Sequence, residues 1–175
     1  MGMKKDNGPV MELIRASMLP SFLRAKARSE DPVCQVVSRA ARADIAENSG
    51  DHVHSLAIGA GVSAAGLISW LAQSRGTEPS AVLDRIEQAS IKGLETPNRV
   101  VAMLRTLLTG PPGMAATADL MVQIFAEDEE GYYDLIVELG EFSASCVNLL
   151  DTTGVSTTEA TLKDLDEMLR DFYSG

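Results

Sequence analysis

Residues 51–76 read DHVHSLAIGAGVSAAGLISWLAQSRG, and how this stretch is taken decides the fold. Between His52 and Ser74 it holds no Asp, Glu, Lys or Arg. Asp51 offers an N-terminal cap and Gly76 a stop, so one helical segment is expected between them. Its apolar centre, residues 56–72, is shorter than the ~20 apolar residues a membrane span needs. Gly59, Gly61, Ser63, Gly66 and Ser69 also interrupt it, which argues against a membrane. Small side chains let a second helix approach closely, so Ala65, Gly66 and Ser69 are candidate contact residues. Tyr132, Leu135, Leu139 and Phe142 are bulky enough to fill the opposing groove, within one chain or between two copies.

The same stretch also fits a helix-turn-helix. Ala57, Gly61, Val62, Leu67 and Trp70 occupy the small, turn and anchor positions, and Ser63 stands where a recognition helix would be capped. The reading surface is missing. Its exposed positions would be Ala64, Ala65, Gly66, Ile68, Ser69, Ala72 and Gln73, with no Arg or Lys before Arg75. DNA affinity comes chiefly from neutralising phosphates. Duplex binding is therefore not expected.

Outward from this segment, helix punctuation is frequent and strand signals are scarce. Residues 10–19 are apolar at helical spacing and meet Pro20; residues 22–28 continue as a basic turn or two. Asp31-Pro32 is a cap followed by proline at the first helical position, opening a helix with Val33, Val36, Val37 and Ala40 on one face. Thr77-Glu78-Pro79 opens another, with Val82, Leu83 and Ile86, closed near Gly93. Thr96-Pro97 repeats the device. Behind it, Val100, Val101, Met103, Leu104, Leu107 and Leu108 make residues 97–109 apolar nearly all round, which marks them as the expected centre of the fold. Gly110-Pro111-Pro112-Gly113 ends that helix. Helices are expected over 115–126 and 132–150, with Gly154 as a stop. A capping box at Ser156-Thr157-Thr158-Glu159 then opens a last helix striped with Leu162, Leu165, Met168, Leu169 and Phe172. The fold class is all-α, with about eight helices.

Residues 43–87 can be laid on residues 123–166. Ala46-Glu47 falls on Ala126-Glu127, Trp70-Leu71 on Leu149-Leu150, Gly76 on Gly154, and Leu83 and Ile86 on Leu162 and Leu165. Two related three-helix units closing a core around the central helix would explain this. A chance match of helical patterns also would. Residues 1–30 read as an N-terminal basic helical arm, and 31–175 as a single helical domain. The run Trp70-Leu71-Ala72, Gly76, Pro79-Ser80-Ala81-Val82-Leu83-Asp84-Arg85-Ile86 resembles a hairpin of small Ala-rich helical proteins from actinobacteria and their phages. That resemblance covers about twenty residues. It implies a helical fold in a bacterial or phage cytoplasmic setting and no particular activity.

Charge is unevenly spread over the 175 residues. Residues 1–44 carry a net +3, whereas residues 113–175 hold fourteen Asp and Glu against Lys163 and Arg170, a net −12. Such a pole repels phosphate and suits a basic protein partner or simple solubility. Its candidate contact residues are Glu127, Asp128, Glu129 and Glu130, at an acidic helix start, and Asp164, Glu167 and Asp171 on the polar side of the last helix.

The catalytic inventory is thin. Cys34 and Cys146 cannot form a disulfide framework and read as core thiols. His52 and His54 are two apart and point to different helix faces, a poor metal pair. The run Glu127-Asp128-Glu129-Glu130 lacks the alternating ligands of a calcium loop. No catalytic, cofactor-binding or metal-binding residue is expected. The first ten residues lack the apolar core of a signal peptide, which points to the cytoplasm. The sequence favours a non-enzymatic acidic helical protein that binds another protein, itself as a homodimer or a host factor. The alternatives are a helix-turn-helix regulator over 56–73 and an acidic decoy of a nucleic-acid-binding protein.

Overall fold

A computed structural model describes residues 6–20, 23, 27, 29–91, 98–108 and 113–174. Eight helices are present among them, and no strand: α1 (Gly8–Ser17), α2 (Pro32–Glu47), α3 (Asp51–Ser74), α4 (Pro79–Ile91), α5 (Asn98–Leu108), α6 (Gly113–Glu127), α7 (Glu129–Thr152) and α8 (Thr158–Ser174). The expected all-α class is what forms. The Gly93 stop, the Thr96-Pro97 cap and the Gly110-Pro111-Pro112 break lie outside the described residues, as does most of 22–28.

Local chemistry explains the helix ends. Asp31 accepts a hydrogen bond from the Val33 N–H, with Pro32 at the first helical position. Asp128 caps α7 through the Gly131 N–H at 3.0 Å. Gly76 and Gly154 close α3 and α7 in the left-handed region, at φ of 62° and 74°, where a Cβ would be strained. The last helix starts one residue later than its capping box suggests. Thr157, not Ser156, accepts from the Ala160 N–H, and Asp151 also binds the Thr158 N–H and hydroxyl.

The centre of the fold is α3, which touches all seven other helices. Residues 97–109 do not hold that place. In α5, Val100, Val101, Met103 and Leu104 are buried, but Leu107 and Leu108 are only half-buried. Its outer face carries Arg105, bonded to Asp84 and Glu87 of α4, and Arg99, bonded to Glu138 of α7. The apolar run hid an amphipathic helix. α3 takes the centre because it carries no Asp, Glu, Lys or Arg from 52 to 74 and sets Ala, Gly and Ser between its larger apolar side chains, so neighbours fit all round it.

α3 also corrects the helix-turn-helix reading. It runs unbroken through Gly61, and Ser63 is fully buried with its hydroxyl donating to the Gly59 carbonyl at 2.8 Å. There is no turn for a recognition helix to follow. By length and composition α3 is apolar enough to cross a membrane, and 67% of its apolar window is buried inside this fold. The basic arm expected over 1–30 is, across α1, a core helix instead. Val10, Leu13 and Ile14 are at most 1% exposed, and α1 packs on α2, α3 and α7.

The pair α3 and α7 forms the largest helix–helix contact. His54 near the start of α3 meets Tyr132 near the start of α7, so the two N-termini lie together. α8 lies antiparallel to α3, with Tyr173 over Gly59 and Met168 over Gly66. Tyr173 donates its hydroxyl to the Ser55 carbonyl at 2.7 Å. A Cβ on Gly59 would collide with that hydroxyl and with Val10, so the glycine is a condition of the C-terminal anchor.

A candidate binding cleft at the shared N-terminal end of α3 and α7

The turn from α2 to α3 is built around Asp44. Asn48 ends α2 in the left-handed conformation, at φ of 51°. This folds the last turn of α2 over the start of α3. Asp44, only 7% exposed, then accepts from the His52 N–H at 2.9 Å, the Val53 N–H at 3.0 Å and the Ser49 hydroxyl at 3.2 Å. Asp51 was expected to cap this helix. The cap comes instead from the preceding helix, and Asp51 occupies the first helical position with Gly50 before it.

Beside this turn lies a cleft of about 500 Å³, within the range of ligand pockets (~300–1,000 Å³). Asp44 and Ile45 of α2 line it, with His54 of α3, Phe125 of α6, and Glu129 and Tyr133 of α7. His54 Nδ1 lies 2.7 Å from the Tyr132 hydroxyl. His54, Phe125 and Tyr132 meet edge to face at centroid distances of 5.3 to 5.6 Å, and Tyr133 joins Tyr132 at 6.1 Å. The chain has only eight Phe, Tyr and Trp residues in all, so three of them at one site is a concentration.

The phenols stay protonated. Burial pushes Tyr132 well above the ordinary phenol value, and the nearby Tyr133 and Asp44 add to this. Burial pushes Tyr133 up to about 12, helped by its hydrogen bond to Glu129 at 2.9 Å and by the charges of Glu129 and Asp44. At the mouth of the cleft Ile45 is 80% exposed.

A shallower groove of about 260 Å³ continues between α2 and α7, sharing Ala41 and Tyr133 with the cleft. Cys34 lines it half-buried, so this thiol is a groove residue rather than the expected core one. Cys146 is a core thiol, and burial pushes it up to about 12.

Of the candidate contact residues taken from the sequence, only Glu129 lines the cleft, and His54, read there as half of a poor metal pair, lines it too. Glu127 is exposed and accepts from Gln123; Asp128 is the α7 cap; Glu130 is exposed. Asp164, Glu167 and Asp171 are exposed along α8. Ala65 and Ser69 are half-buried on α3, where the Ser69 hydroxyl donates to the Ala65 carbonyl at 3.1 Å. Gly66 lies beneath Met168 of the same chain, so that face of α3 is already covered by α8.

Sequence reasoning missed Asp44, Ile45, Phe125 and Tyr133, and named Tyr132 only as a filler of the groove opposite α3. One signal was present for Ile45. It stands about a third of a turn off the stripe of Val33, Val36, Val37 and Ala40. His52 bonds Glu47 at 3.0 Å, and no group of three metal-ligating side chains is found among the described residues. No protein-family model, curated protein or solved structure matches the chain.

Proposed function

We propose that this is a non-enzymatic helical protein that acts by binding a protein partner at the cleft between α2, α3, α6 and α7. The observation that carries the reading is Ile45, a large aliphatic side chain held in solvent at the mouth of an aromatic-lined cleft. Single exposed aliphatic residues are ordinary on a surface. Here Ile45 stands at the mouth of a concave, aromatic-lined site, the form of a docking anchor. Self-association through the small-residue face of α3 is the less favoured version, because Met168 covers Gly66 from within the chain.

Site-specific photocrosslinking in the native host tests the site. A crosslinker at position 45 should yield a discrete protein adduct, and one at position 164, on the exposed face of α8, should not. Adducts from position 164 alone would move the partner surface to the acidic pole. Sedimentation of the purified protein across concentration then tells a second copy from a different protein.

A further inference from the structure

We infer that the cleft seats a basic side chain of the partner's docking segment, arginine before lysine; this rests on the protein-binding reading above. Its walls are the ring faces and edges of His54, Phe125 and Tyr133, and aromatic faces attract cations. Glu129 lines the same space with an exposed carboxylate, Asp44 lines it while committed to the start of α3, and none of the lining side chains is Lys or Arg. The C-terminal, carbonyl-bearing end of α2 forms one wall, and its dipole adds negative potential.

The features that would draw an anion are already used. The start of α3 borders the cleft, but its His52 and Val53 N–H groups are held by Asp44. The start of α7 borders it too, and the Gly131 N–H is held by Asp128. Both positive helix ends therefore carry a built-in carboxylate, and the remaining field favours a cation. Size and rim agree. A cavity of about 500 Å³ exceeds what an ammonium needs and accommodates a planar guanidinium with its aliphatic stem. Ile45 gives that stem apolar cover at the mouth. Guanidinium stacks on rings and pairs with a carboxylate in a fork, which a lysine ammonium does not do. Glu129 is placed for that pairing, since its Oε1 already accepts from the Tyr133 hydroxyl at the cleft wall.

The full-length protein can be titrated with short capped alanine peptides bearing one central arginine, lysine, glutamine or glutamate, following the His54, Phe125 and Tyr133 ring resonances by NMR. The arginine peptide should give saturable shifts at these rings, the lysine peptide weaker ones, and the other two none. Glu129→Gln keeps an acceptor for Tyr133 and should weaken the arginine peptide up to about five-fold, whereas Glu130→Gln, next to it but outside the cleft, should not. Equal shifts from the glutamine peptide, or none from the arginine peptide, would overturn the proposal. Tetramethylammonium matching the arginine peptide would overturn the assignment to a protein segment. If position 45 still crosslinks a partner while the arginine peptide leaves the rings unmoved, the basic seat falls and the protein-binding reading stands.

Discussion

α3 and α7 are each 24 residues long and lie side by side, yet they are made from opposite materials. α3 is Ala, Gly and Ser between Val53, Leu56, Leu67, Ile68 and Leu71, and side chains of α1, α5, α6 and α8 come close to its backbone at Gly59, Gly61 and Gly66. α7 brings volume: Tyr132, Leu135, Ile136, Leu139 and Phe142 are all buried. One helix is central because little projects from it, the other because much does. The contrast also places the cleft. At their shared N-terminal end the small residues of α3 give way to His54, and the rings of α7 run past the helix they fill against. The aromatic surplus lines a concavity instead of closing a core.

Removing volume from α7 should cost most. Leu139→Ala deletes a fully buried side chain and should destabilise by about 2–5 kcal/mol. Chemical denaturation measures it, and a loss under 1 kcal/mol would mean that α7 is not the filler. Adding volume to α3 should cost somewhat less. Gly59→Ala drives a methyl into the Tyr173 hydroxyl and Val10, for about 1–3 kcal/mol. Gly66→Ala meets only the end of flexible Met168 and should cost clearly less in the same assay. Equal costs at the two glycines would break the account of α8 as an anchor made at Gly59.

Alkaline pH should act on α7 before α3. Burial raises the Cys146 thiol from 9.0 to about 12, and burial with Glu129 raises Tyr133 from 10.0 to about 12. In the unfolded chain these protons leave first, so stability is intact below pH 9 and falls as pH rises through 12. Cys146→Ala should move the onset of that fall up toward pH 10, as read from melting curves across alkaline pH. An unchanged onset would remove Cys146 from the explanation.

Much of the architecture was legible because helix ends are written locally. Asp31-Pro32, Pro79, Gly76 and Gly154 all mark the boundaries the structure has. The centre was misread for a physical reason. The Val, Met and Leu run of α5 drew the reading although Arg99 and Arg105 stand among it, whereas α3 carries no Asp, Glu, Lys or Arg from 52 to 74 and joins small residues to apolar ones. The cleft was nearly invisible. Asp44 caps a helix that it does not belong to, across a left-handed turn at Asn48, and no spacing rule joins residue 44 to residues 52 and 53. His54, Phe125 and Tyr132 come from three helices and meet only after folding. Glu129 was singled out for its charge, without the rings that surround it.

The smallest effect on stability should accompany the largest effect on binding. Ile45 is exposed, so Ile45→Asp should leave the unfolding free energy within about 0.5 kcal/mol of the original. With a photocrosslinker at Phe125, which lines the cleft, adduct yield in the native host is the direct measure of docking. The account predicts that Ile45→Asp abolishes that adduct while the melting curve stays in place. An undiminished adduct with Ile45→Asp would contradict it.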